Sequence, residues 1–147
     1  MEIRQLSLIE IVLNQKQICK FLAECIDTIQ VDTIRVQEKY DKLLFHVRNG
    51  TGYVFGAMDS QQLCGFCWVY PYETEWGQEL HIAYLAVDAE HRGRGLGKEL
   101  VLFCEGFAKE KNIFSIGLNV AADNDKAKSL YLHCGMKPQT IYFRREI

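Results

Sequence analysis

The stretch from Leu85 to Lys98, Leu-Ala-Val-Asp-Ala-Glu-His-Arg-Gly-Arg-Gly-Leu-Gly-Lys, constrains this chain more than any other segment. An apolar run, Leu80 to Val87, stops at Asp88, and Gly93, Gly95 and Gly97 then lead straight into a helical pattern. A strand that enters a glycine-rich turn and opens a helix brings several backbone N–H groups together at a helix N-terminus, where the dipole favours an anion. Glycine lets the main chain curl and lets a ligand approach it closely. One terminus contributes only about 0.3–2 kcal/mol, so the N–H groups must act together with Arg92, Arg94 and Lys98.

Two other phosphate motifs fail on spelling. A P-loop needs Ser or Thr after Gly-Lys and a glycine five residues before it, but Glu99 follows Lys98 and Arg92 stands five before Gly97. A dinucleotide fingerprint needs Gly-x-Gly-x-x-Gly after the first strand of a βαβ unit. Here the spacing is Gly93-x-Gly95-x-Gly97, and the segment follows a meander of strands.

The flanking patterns set the architecture. Residues 2–6 read as a strand, and Ser7-x-x-Glu10 has the form of a capping box. A helix carrying Leu8, Ile11, Val12, Ile18, Phe21, Leu22 and Cys25 on roughly one face follows it. Asp32 is a candidate cap for a second helix, which carries Ile34, Val36, Tyr40, Leu43, Leu44 and Val47 and stops at Asn49-Gly50. Residues 52–58 and 63–70 read as a hairpin, Pro71 to Gln78 as a polar loop, and Leu80 to Val87 as a third strand. From Leu96 to Lys111, the residues Leu96, Leu100, Phe103, Cys104, Phe107 and Ala108 share one helical face. A strand over 114–120, a helix over 123–134 and a strand over 140–147 complete the pattern. The order β-α-α-β-β-β-α-β-α-β predicts an α/β layered domain, a mixed sheet with helices on both faces, with residues 1–147 as one domain.

Charge and cysteine content narrow the function classes. Lys plus Arg is 17 against 19 Asp plus Glu, a formal net charge of -2, which offers no basic field for nucleic acid or an anionic membrane. With no membrane-length apolar run and no signal-peptide pattern, the expected compartment is cytoplasmic. Cys64-x-x-Cys67 has metal-ligand spacing, but it lies in a strand, where an odd separation sends the two thiols to opposite faces. The six cysteines therefore read as reduced thiols, and no metal site is expected.

Arg92-x-x-Gly95-x-Gly97 resembles the Arg/Gln-x-x-Gly-x-Gly/Ala signature of the GNAT superfamily of N-acetyltransferases, and Leu85-Ala86-Val87-Asp88 is similar to that family's strand end. Asn124-x-x-Ala127-x-x-Leu130-Tyr131-x-x-x-Gly135-Met136 is similar to a second family block. The resemblance, which extends over nearly the whole chain, implies a GNAT-like acyl-CoA N-acyltransferase fold. It also implies transfer of acetyl from acetyl-CoA to a primary amine by direct attack in a ternary complex, without a metal.

The resemblance further implies site roles. The backbone of Leu85, Ala86 and Val87 is expected to pair with the pantetheine arm. Arg92, Gly93, Arg94, Gly95, Leu96, Gly97 and Lys98 are expected to hold the pyrophosphate. Asn124 is expected to bond the pantetheine region, with Ala127 beside it in the motif, and Tyr131 to protonate the leaving thiolate. With a pKa of about 10, tyrosine keeps its proton at pH 7 and so has one to give.

The acceptor needs a base, because a lysine-like amine at pH 7 is neutral in roughly one molecule in 2,500, a cost of about 4.6 kcal/mol. Glu79 is the first candidate and His81 the second. Family members that acetylate protein N-termini often carry glutamate where this chain has Asn119, which argues against that substrate class. Glu73, Glu75 and Trp76, with Tyr70 and Tyr72 among them, suggest a site for a small cationic amine. A non-catalytic acyl-CoA sensor, a longer acyl donor and a protein-lysine acetyltransferase are the alternatives. The few residues after Gly135-Met136 suggest one final strand with an open sheet edge, and hence a homodimer.

Overall fold

The computed structural model describes residues 1–26 and 33–147. The expected cap at Asp32 lies outside the described residues. The elements are β1 (Glu2–Gln5), α1 (Leu8–Leu13), α2 (Gln15–Cys25), α3 (Thr33–Arg48), β2 (Tyr53–Asp59), β3 (Gln62–Thr74), β4 (Gly77–Val87), α4 (Leu96–Glu110), β5 (Ile116–Gly117) and α5 (Asp125–His133). The sheet runs β1-β2-β3-β4-β5. Its first four strands pair antiparallel, and β5 joins β4 in parallel. A parallel neighbour requires a crossover, and α4 supplies it.

Each face of the sheet buries its own apolar cluster. Ile18, Phe21 and Leu22 of α2 and Val36, Tyr40 and Leu43 of α3 pack with Val54, Phe66 and Trp68. On the other face, Leu100, Cys104, Phe107 and Ala108 of α4 pack with Phe55, Cys67, Val69, Leu80 and Ile82. The mixed α/β architecture with helices on both faces is as expected. None of the described helices is long and apolar enough to cross a membrane.

Five local expectations are corrected. The first helix breaks at Asn14, which caps α1 and opens α2, and its side-chain amide donates to the Glu10 carbonyl at 2.8 Å. The break turns Val12 outward, half exposed. The Ser7–Glu10 capping box is present in both directions.

The expected loop from Pro71 to Gln78 is instead an extension of the β3–β4 ladder, paired from Pro71↔Leu80 to Thr74↔Gly77. β2 pairing stops at Tyr53↔Val69, so this part of β3 is an edge, where proline is tolerated. Thr74 closes the turn: its hydroxyl donates to the Gly77 carbonyl at 2.7 Å and accepts from the Trp76 N–H at 3.1 Å.

Cys64 and Cys67 share a face. A register shift between Ala57↔Gly65 and Met58↔Leu63 makes Cys64 a bulged residue that packs on Leu96, while Cys67 meets Cys104 with their sulfurs 3.5 Å apart. A bulge adds one residue to the strand, so the alternation that separates i and i+3 is lost. All six cysteines are free, and Cys64 lies with Asp59 and His91 rather than with Cys67.

Finally, Thr140 to Ile147 form no strand, and Ile141, Tyr142 and Phe143 are exposed. The expected strand over 114–120 shrinks to Ile116–Gly117, which leaves little ladder for another strand to join.

Candidate active site

The central strand loses a partner where the glycine turn begins. β4 pairs with β5 only at Leu80↔Ile116 and His81↔Gly117, whereas its pairing with β3 continues to Gly65↔Val87. From Ile82 to Val87, one edge of β4 therefore has no sheet neighbour among the described residues. Unpaired backbone N–H and C=O groups invite an extended ligand. Leu85, Ala86 and Val87 are the last residues of this open edge. The Cys25 thiol donates to the Leu85 carbonyl at 3.6 Å, a weak contact that ties α2 to the same place.

A second bulge shapes the strand just upstream. Trp68 pairs with Tyr84 and Val69 with Ile82, which leaves Ala83 as the extra residue. Ala83 and Tyr84 consequently both face the α2–α3 side. Bulges re-aim side chains next to sites of this kind.

The turn after β4 is built on glycines in the left-handed region. Gly93 and Gly95 have φ of 76° and 79°, and a Cβ on either would meet open space. These positions need glycine for conformation, not for room. Gly95 caps α4 without a side-chain bond, and the intrahelical ladder begins at Glu99 N–H to Gly95 carbonyl. The N–H groups of Leu96, Gly97 and Lys98 precede that first bond and face outward. Arg94 and Lys98 are exposed beside them.

Arg92 ties the turn to its surroundings. Its Nε donates to the Val87 carbonyl at 3.0 Å and its guanidinium pairs with Glu24 of α2 at 3.3 Å, so it braces the turn. Gly97 also differs from its two neighbours: a Cβ there would stand 3.3 Å from Leu130, so it lets α4 and α5 pack closely.

α5 carries Asn124, Ala127 and Tyr131. The Asn124 side chain accepts from the Ala127 N–H at 3.1 Å and caps the helix. Tyr131 is partly buried. Burial pushes its phenol well above the ordinary value, and the thiols of Cys67, Cys25, Cys104 and Cys134 add to the shift. The ring is thus a neutral donor across the working pH range. It stands near Cys25, the residue that touches Leu85.

The two candidate bases separate. Glu79 folds over β5, where a Cβ on Gly117 would fall 2.5 Å from its carboxylate. His81 lies between Tyr70 and Tyr72, with ring centroids at 5.1 and 5.3 Å. Burial pushes its imidazole below the ordinary value, while nearby Glu79 acts in the opposite sense. Its Nδ1 is buried without a hydrogen-bond partner.

His81 opens on a cleft of about 500 Å³ between α3 and the β3–β4 strands, lined by Lys39, Lys42, Trp68, Tyr70 and Tyr84 among others. Sequence reading missed this cleft, because α3 and β4 are far apart in the chain. Glu73, Glu75 and Trp76 are not in it. They occupy the tip of the β3–β4 hairpin, with Trp76 84% exposed and about 30 Å along β4 from Leu85.

Comparison with known proteins agrees with this geometry. Residues 17–136 match the acetyltransferase (GNAT) family. N-acetyltransferase 8B of Mus musculus is 25% identical over 126 residues, covering 85% of this chain and 51% of that protein. A mycothiol acetyltransferase of Renibacterium salmoninarum is 32% identical over 91 residues, covering 59% of this chain and 26% of that protein. The chain thus spans about half the length, or less, of these curated relatives. Among solved structures, an aminoglycoside acetyltransferase from an uncultured soil metagenomic sample superposes with a TM-score of 0.76 at 20% identity, covering 99% of this chain and 95% of that one. With a family match over residues 17–136, which include the open strand edge, the glycine turn and Tyr131, the chain belongs to the GNAT family of acetyltransferases.

Proposed function

We propose that this protein transfers an acetyl group from acetyl-CoA to a primary amine of a small molecule. The observation that carries this reading is the open edge of β4 from Ile82 to Val87, which leads directly into a left-handed glycine turn at a helix N-terminus. An extended pantetheine suits the first feature and a pyrophosphate the second.

Bound acetyl-CoA would supply an activated carbonyl with a thiol leaving group. The chain's own groups handle the protons. Neutral His81 accepts one proton from the amine as the C–N bond forms. Tyr131 gives one to sulfur as the C–S bond breaks. One proton leaves nitrogen and one reaches sulfur, so the sum is amine plus thioester to amide plus thiol. The groups recover by exchange with solvent. A backbone N–H on the open edge of β4, near Leu85, would polarise the carbonyl, an interaction that preorganised donors make strong.

His81 is preferred to Glu79 as base because its Nδ1 is unpartnered and it lines the cleft, whereas Glu79 lies over Gly117. The test is release of free CoA thiol from acetyl-CoA with and without amines. Amine-dependent release supports the proposal; tight acetyl-CoA binding without turnover for any amine supports a sensor instead.

A further inference from the structure

The cleft beside His81 has features that a bare amine leaves unexplained. Lys39 and Lys42, one turn apart on α3, both line it. Among the described residues neither has an ion-pair partner, and no carboxylate lines the cleft. Positive potential also reaches β4. Burial and Cys25 raise the Tyr84 phenol, while Arg35 and Lys42 act in the opposite sense, which sets both cations within reach of that ring. A positive wall suits a negative ligand group and repels a polycation.

Trp68 is 5% exposed and lines the cleft, with its Nε1 buried against Gly52, 3.3 Å from where a Cβ on that glycine would stand. The ring is fixed by stacking on Tyr84 at 5.6 Å, its cross-strand neighbour. His81 lines the same cleft. Burial pushes its imidazole below the ordinary value, so it suits the proton of an ammonium group rather than an anion. The cleft therefore has an imidazole on one side and two cations on the other.

Building on the transferase reading above, we propose that the natural acceptor carries an anionic group, a carboxylate or a phosphate, a few bonds from its primary amine. Lys39 and Lys42 bind the anion, and His81 receives the amine. The acceptor is thus an amino acid-like or amino phosphate-like molecule rather than a polyamine. This departs from the expectation drawn from Glu73, Glu75 and Trp76, because those residues lie at the hairpin tip and not in the cleft.

The experiment compares acceptors in matched pairs by rate of thiol release: phenylalanine against phenethylamine for carboxylate, O-phosphoethanolamine against ethanolamine for phosphate, and spermidine as the polycation. The anionic member of at least one pair is expected to have kcat/KM about tenfold or more above its neutral partner. Lys39→Ala and Lys42→Ala are expected to raise KM for that member about tenfold, with kcat and the neutral partner nearly unchanged. Lys42→Glu reverses the preference. Calorimetry showing unchanged affinity for CoA in each variant establishes that it is folded. Turnover with no charge preference, a preference for spermidine, or lysine variants that leave the ratio intact overturns this proposal alone. No turnover with any acceptor overturns the transferase reading and this proposal with it.

Discussion

Gly97 of α4 faces Leu130 of α5 so closely that a methyl group at position 97 would stand 3.3 Å from the leucine side chain. This contact links the helix that opens at the glycine turn to the helix that carries Tyr131. The same glycine pattern therefore has two tasks: Gly93 and Gly95 shape the anion turn, and Gly97 sets the spacing behind it. A bulky residue at 97 has to displace α5. Gly97→Leu is expected to destabilise the fold by about 1–3 kcal/mol, the usual cost of overpacking. It is also expected to lower kcat, because Tyr131 moves with its helix. Urea unfolding and steady-state rates check the two effects.

Gly95 separates conformation from space. Its φ is 79°, and a methyl group added there would have no neighbour within 4 Å. Gly95→Ala is expected to cost about 1–2 kcal/mol through backbone strain alone. The variant should bind CoA more weakly, since the turn relaxes away from the geometry that gathers its N–H groups. Gly95→Asn should lose less, because asparagine visits the left-handed region more readily. Thermal unfolding and calorimetry with CoA measure both, and equal losses for Ala and Asn would reject the backbone explanation.

The pH profile reports on His81. Burial moves this imidazole below its ordinary 6.5, so the neutral form predominates at pH 7. As pH falls through the lowered value, the base is protonated and kcat/KM falls with it. The acidic limb is expected below pH 6.5. His81→Gln should remove that limb and reduce kcat by about 10²–10⁴-fold. A limb that persists unchanged in the variant would assign the base elsewhere, with Glu79 the first to test.

Much of this site was legible in the sequence because its signals are local. The strand end, the glycine turn and the cap at Asn124 each lie within a few residues, and each is present where expected. The failures share a different cause. Alternation along a strand presumes an unbroken ladder, so the bulge at Cys64 put it on the same face as Cys67. Polar spelling made Pro71 to Gln78 resemble a loop, but pairing across an open edge holds it as strand. The cleft of Lys39, Trp68 and His81 has no local signature at all. It exists because α3 crosses over β3 and β4, and only then do two polar atoms become orphans. The Arg92–Glu24 pair likewise has no local signature, because its two residues lie on distant segments.

The central claim is that Tyr131 delivers a proton to the sulfur of a donor laid along the open edge of β4. Kinetics of Tyr131→Phe, with CoA affinity measured on the same protein, test it most directly. The expected result is a fall in kcat of about 10²–10⁴-fold with affinity for CoA within a few-fold of the parent. An unchanged kcat in the variant, or a parent protein with no affinity for CoA, would contradict the account.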